Sequence, residues 1–155
     1  MARNVKLDQQ DRAILRALQR DSTQPLETLG EQVGLSRNAC WRRIRQMDDA
    51  GIIKKRVALL DSNALDLGLT VFIQVRAASH DAKWMSQFAA VTRAKPEITG
   101  VYRMSGDLDY LLRAVVPDMA GYDRLYQDLI RRIPMADVAA SFVMEEIKHT
   151  TELPV

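Results

Sequence analysis

The sequence predicts an α+β chain in two unlike halves, on three observations. Apolar residues recur at helical spacing through the first 50 or so positions, β-rich runs dominate from Leu69 onward, and the charge changes sign between the two. Residues 1–60 hold 12 Lys and Arg against 7 Asp and Glu, a net of +5, whereas residues 61–155 hold 10 against 13, a net of −3. The 155 residues together, 47% of them apolar, have the balance of a globular protein and not of a disordered or fibrous one. No window approaches the roughly 18 uninterrupted apolar residues of a membrane span. The opening Met-Ala-Arg-Asn-Val-Lys-Leu-Asp lacks the apolar core of a secretory signal, so a cytoplasmic protein without a membrane partner is expected. One cysteine, Cys40, excludes an internal disulfide and a multi-cysteine zinc site; with only His80 and His149 besides, neither a metal nor a cofactor is expected.

The first helix is expected to start after Asp8, an N-cap residue, to bury Ile14, Leu15 and Leu18, and to stop near Asp21. Pro25 restarts the chain. Leu26, Leu29 and Val33 then recur at i, i+3 and i+7, and Gly34 supplies the left-handed residue that ends a short second helix. Leu35 can drop back into the core, Ser36 can cap a third helix, and Gly51 closes it. Two helices joined by so tight a turn, the second richer in Arg, fit a helix-turn-helix. Ile52 to Leu60 then reads as a two-stranded wing with Lys54, Lys55 and Arg56 near its tip, completing a winged helix-turn-helix over residues 1–60.

Most of the positive charge is local: seven Lys and Arg against two Asp lie between Leu35 and Val57. A charge run is as often a plain solvated face as a polyanion footprint, so the spacing has to decide. Projected at 100° per residue, Cys40, Ile44 and Met47 fall in one sector of the third helix, and Arg37, Asn38, Trp41, Arg42 and Arg45 on the other side. An α-helix fits the DNA major groove, where Arg bonds guanine O6 and N7 and Asn bonds adenine N6 and N7; Arg37, Asn38 and Arg42 are therefore base-reading candidates. Arg43 points sideways, towards a phosphate. Lys54 and Lys55 are expected on a second set of phosphates, and Ser36 and Arg45 are expected among the DNA contacts as well. Trp41 either lies against sugar and base edges or covers a neighbouring helix. Cys40 is expected to be a small core residue, not a redox sensor.

After a hinge at 61–68 the period changes. Leu69–Ala77 is a strand; Asp81 opens a helix carrying Trp84, Met85, Phe88, Ala89 and Val91 that Pro96 ends. Thr99–Met104 and Tyr110–Val116 are strands around a Gly- and Asp-rich turn. Pro117-Asp118 opens a helix with Met119, Tyr122, Leu125, Tyr126, Leu129, Ile130 and Ile133 on its apolar side, ended by Pro134, and a last strand runs from about Val138 to His149. The order βαββαβ over residues 69–155 is the ferredoxin-like split unit, a four-stranded antiparallel sheet with both helices on one face. Its other face is expected to carry apolar side chains that association of copies would cover.

Val-Gly-Leu-Ser at 33–36, the basic third helix, Gly-Asp-Leu-Asp-Tyr at 106–110, Val-Pro-Asp-Met at 116–119 and Met-Glu-Glu-Ile-Lys at 144–148 together resemble the Lrp/AsnC family of transcription regulators. The resemblance covers nearly the whole chain. It implies a DNA-binding domain hinged to an amino-acid-sensing domain, pairing into homodimers through the sheets and building octamers as tetramers of dimers, with a free amino acid bound between protomers. The effector pocket it implies maps onto Met104, Gly106, Asp107, Leu108, Asp109 and Tyr110 and a facing part of the last strand, Ser141, Phe142 and Val143. The chemistry is sound in itself: amides around Gly106 can hold a carboxylate, and Asp107 or Asp109 an ammonium. Alternatively both aspartates only shape the hairpin and pair with Arg103 or Arg113.

Cys40-Trp41, Tyr-Arg-Met at 102–104, Ser-Phe-Val-Met-Glu at 141–145 and the tail from Lys148 to Pro154 look closest to a cysteine-responsive subgroup. Leucine is the rival effector, since Met104, Leu108, Phe142 and Val143 would offer an apolar wall. Ligand bound between protomers would alter the spacing of paired recognition helices on their half-sites. A regulator and not an enzyme is expected. The same fold is similar to that of sirohaem decarboxylases, but only two histidines and a basic outer face on the third helix favour the DNA partner over that enzyme; an amino-acid-binding regulatory subunit is a third reading.

Overall fold

In the computed structural model, residues 6–155 are described; Met1–Val5, part of the stretch read for a secretory signal, lie outside them. The chain forms two units. One runs as far as Leu59 and takes back Lys148–Val155; the other is Leu60–Ile147.

In the helical unit, α1 (Gln9–Arg20) begins at a reciprocal cap: the Asp11 amide donates to the Asp8 carboxylate at 2.8 Å and the Asp8 amide to Asp11 at 3.1 Å. Helix α2 (Leu26–Val33) ends on Gly34 at φ 69°, the left-handed residue foreseen there. Helix α3 (Arg37–Asp49) is capped by the Ser36 hydroxyl, which accepts from the Ala39 amide at 3.3 Å. Ile14, Leu15, Leu29, Cys40, Ile44 and Met47 form the core, and burial pushes the Cys40 thiol pKa up. The two wing strands do not form. After Ile53 the chain runs to Asp61 with no strand pairing among the described residues, because no second run lies antiparallel to satisfy its amides.

In the other unit, β1 (Leu69–Ala77), α4 (Ala82–Arg93), β2 (Ile98–Arg103), β3 (Tyr110–Val116), α5 (Met119–Arg132) and β4 (Met135–Phe142) follow a 3₁₀ turn at Asn63–Leu65. The sheet order is β2-β3-β1-β4, all neighbours antiparallel, as the split βαββαβ unit requires. Val71, Ile73 and Val75 of β1 and Leu112, Ala114 and Val116 of β3 meet Trp84, Phe88, Leu125, Leu129 and Ile133 from the two helices. The last strand is earlier and shorter than the expected 138–149. A bulge at Arg76/Ala77 lets Met135 pair, and since β1 begins at Leu69, pairing runs out once the Val143 amide has reached the Thr70 carbonyl at 3.0 Å. The chain therefore leaves the sheet from Met144 onward. Asp128, unforeseen, is buried among Lys95, Arg131 and Arg132, which hold its carboxyl well below the usual carboxylate range. The face opposite the helices alternates Phe72, Leu111 and Tyr102 with Thr70, Gln74, Arg113 and Ser141, so it is mixed where an apolar one was expected.

No helix among the described residues is long and apolar enough to cross a membrane.

Candidate functional site

The reading face of α3 depends on how closely α2 approaches the turn that precedes α3. The Leu35 amide donates to the Gly30 carbonyl at 2.9 Å, and a Cβ on Gly30 would lie 2.5 Å from the Leu35 carbonyl oxygen. Only glycine fits there, in mid-helix, where it otherwise costs stability. A glycine flanked by Leu29 and Glu31 inside an apolar period was the signal that could have revealed this crossing.

Buried Cys40, Ile44 and Met47 fix the rotation of α3, leaving Arg37, Asn38, Trp41, Arg42 and Arg45 outward. Trp41 is 55% exposed, so its indole does not cover a neighbouring helix. Arg37 is ion-paired to Glu27 of α2 at 2.8 Å, and Arg45 to Asp49 at 3.8 Å. Asn38 and Arg42 are exposed, with no hydrogen bond or ion pair to the described residues, and so are Lys54 and Lys55 beyond the helix. The guanidinium fork of Arg42 is thus free for a bidentate acceptor pair.

Arg43 is a correction. Its guanidinium donates to both Asp8 and Asp11 at 2.7 Å, clamping α3 onto the start of α1 instead of reaching towards a phosphate. These two carboxylates raise the Arg43 pKa, and the Asp11 amide followed by Arg43 lowers that of Asp8. Two acids three residues apart at a helix start gave a hint that the basic helix already had partners.

The turn 104–109 closes by a Met104 amide bond to the Asp109 carbonyl at 2.8 Å, with Gly106 at φ 107°. Asp109 shapes the structure, though not with an arginine: its carboxylate accepts from the Ala77 amide at 2.8 Å and lies 3.7 Å from His80 Nε2. Arg113 bonds Thr99 instead. Gly106 and Asp107 remain exposed, Asp107 with no partner among the described residues, and Met104 is half-exposed beside the partly covered Leu108. The turn can therefore offer amides at Gly106 and a carboxylate at Asp107 to a zwitterion.

The other expected pocket residues are not brought to this turn. The Tyr110 ring is buried against Trp84 and Phe88, at centroid distances of 5.6 and 4.4 Å. Phe142 meets Tyr122 edge-on on the helix-covered side of the sheet. In register, Tyr110 sits opposite Val75 but Phe142 opposite Val71, so Ser141, Phe142 and Val143 lie about 13 Å further along the strands at about 3.3 Å per residue. Within one chain the two groups stand at opposite ends of the sheet.

Comparison with known proteins bears on both faces. Residues 7–48 match the AsnC-type helix-turn-helix domain and residues 70–153 the Lrp/AsnC ligand binding domain. The chain is 48% identical over 149 residues to the glutamate uptake regulatory protein of Zymomonas mobilis, covering 96% of this chain and 91% of that one. The crystal structure of an AsnC family transcriptional regulator from Agrobacterium tumefaciens is similar at a TM-score of 0.92 and 51% identity, over 96% of this chain and 97% of the other. A transcriptional regulator from Neisseria meningitidis in complex with L-Met matches at a TM-score of 0.92 and 37% identity over the same shares.

Proposed function

Because the chain belongs to the Lrp/AsnC family of transcription regulators, we propose that it binds specific duplex DNA as a homo-oligomer and that a small amino acid held between protomers modulates that binding. Asn38, Trp41 and Arg42 read base edges, Arg37 and Arg45 stand on the same face, and Lys54 and Lys55 meet phosphates. The observation that carries this reading is the exposed side of α3, with Asn38 and Arg42 unpaired among the described residues, opposite a fully buried Cys40 and Met47.

The effector is L-cysteine in the first instance and leucine in the second. Gly106 and Asp107 hold its backbone groups, and Ser141–Val143 of a second copy complete the site. A relative solved with L-Met supports a compact, largely apolar amino acid. Dimers form through the mixed sheet face and assemble as octamers; Phe72, Leu111 and Tyr102 on that face support such a contact. The relatives are regulators, and the reading is of a regulator and not of an enzyme.

Fluorescence anisotropy of labelled DNA from upstream of the protein's own gene, at fixed salt and with nonspecific competitor, tests this with each amino acid in turn. Tight binding that shifts with one amino acid is expected. Arg42→Ala should lower specific affinity by about 1–3 kcal/mol and leave amino-acid binding intact. Binding that competitor abolishes under every amino acid would remove the reading.

A further inference from the structure

The helical unit is joined to the sheet unit by two stretches of chain, one after Leu59 and one before Lys148. The segment that follows the second is held on α1 at its far end, Glu152–Val155, by side chains at i, i+3 and i+4. The Leu153 amide donates to Gln19 Oε1 at 2.6 Å, and Gln19 Nε2 donates back to the Leu153 carbonyl at 3.1 Å. Arg16 donates to the Val155 carbonyl at 2.8 Å, and Arg20 lies 3.7 Å from Glu152. Val155 packs against the Ile14 and Leu15 core. A side-chain amide that both donates to and accepts from one residue's backbone fixes the register of an extended segment, as a neighbouring strand would.

We propose that Gln19 is the coupling residue through which β4 acts on the reading helix. The inference rests on the amino-acid-modulated DNA binding proposed above. Ser141–Val143 are the last paired residues of the sheet, and nine residues later the same chain meets α1 at Glu152. A displacement of that strand end when ligand binds is passed along the backbone to Gln19. Gln19 is near the end of α1, whereas the Asp8 and Asp11 clamp on Arg43 is at its start, about 16 Å away at about 1.5 Å per residue. Helix α1 then works as a lever whose far end is ion-paired to α3. A chain of contacts earns the name of a route only when breaking one link changes the coupling and not merely the affinities.

Full-length Gln19→Ala and Leu153→Pro break the same contact from its two sides, the second by removing the amide donor. For each, and for the pair in one chain, DNA affinity is measured by anisotropy with and without L-cysteine, L-leucine or L-methionine, and amino-acid binding by calorimetry. Couplings of this kind ordinarily amount to about 5–150-fold. Both single variants should bring the ratio of affinities with and without amino acid to within about twofold of one, while each partner still binds; the double variant should do no more. A wild-type ratio in both variants overturns the coupling role, as does an equal loss of DNA affinity with and without amino acid. A ratio of one in the unsubstituted protein with all three amino acids overturns the amino-acid reading itself, and is distinguished by appearing before any substitution.

Discussion

Helix α3 and the 104–109 turn both expose side chains to solvent, yet they are held by different kinds of contact. The outward face of α3 follows from the helix period and from Cys40, Ile44 and Met47 packing within the same 50 residues. The turn is placed by Asp109 reaching 32 residues back to the Ala77 amide, and on the proposed reading its residues complete a pocket only with a second chain. On the proposed reading the DNA-facing side is thus complete in one protomer, whereas the amino-acid site is half a site. A change near α3 should act within the protomer, and a change near the turn should show itself through assembly and ligand response.

The largest expected effect is on the complete face. Gly30→Ala puts a Cβ 2.5 Å from a backbone carbonyl that has no rotamer to give way, and should destabilise the helical unit by about 3 kcal/mol with loss of DNA binding. Gly106→Ala meets nothing within 4 Å and bears only the strain of a positive φ, about 1 kcal/mol. Thermal melts of the two variants check the order; a Gly106→Ala protein the less stable of the two would reverse the account of which face is rigidly specified.

A middle-sized effect separates the two aspartates of the turn. Asp109→Ala leaves the Ala77 amide without its partner and should cost about 1 kcal/mol of stability along with the ligand response. Asp107→Ala should leave the melting temperature within the error of a surface substitution and lower amino-acid affinity alone. Calorimetric titration with L-cysteine and L-leucine beside each melt tells the two apart. If Asp107→Ala binds amino acid as the unsubstituted protein does, its carboxylate is not the ammonium acceptor.

Legibility followed the same division. Asp8, Gly34 and Ser36 act through neighbours within a turn or two, and the sequence placed all three helices of the reading head by them. Strand Leu69–Ala77 and strand Tyr110–Val116 were equally plain from composition. What failed depends on distant partners. Arg43 reads as a phosphate contact until Asp8 and Asp11 are seen beside it, and β4 ends where β1 does, which no residue of β4 encodes. Tyr110 belongs to a resemblance motif yet its ring faces α4, because period-2 alternation puts it on the same face as Leu112 and Ala114. The wing was inferred from the place of Ile52–Leu60 after Gly51 and from its basic tip, and neither supplies the strand pairing that would form it.

The smallest expected effect is a pH dependence that tells the two units apart. Lys95, Arg132 and Arg131 hold the Asp128 carboxyl far below its ordinary value near 3.8, so its contribution is fully present above that value and is lost as the pH falls from there towards the folded value. Lys95 lies 33 residues before Asp128, so this loss loosens the packing of α5 onto the loop after α4, inside the sheet unit. Asp8 in the helical unit is lowered as well, but by a cap at a helix start that water also reaches. Each unit carries one tryptophan: Trp84, buried in the sheet unit, and Trp41, exposed on α3. In a Trp41→Phe background, Trp84 fluorescence should report urea unfolding whose midpoint drops as the pH falls below about 4. Asp128→Asn should lower the midpoint at pH 7 and flatten that drop. An unchanged acid slope in Asp128→Asn would move the acid sensitivity to other carboxylates and leave the Lys95–Asp128 pair a contact without a stability role.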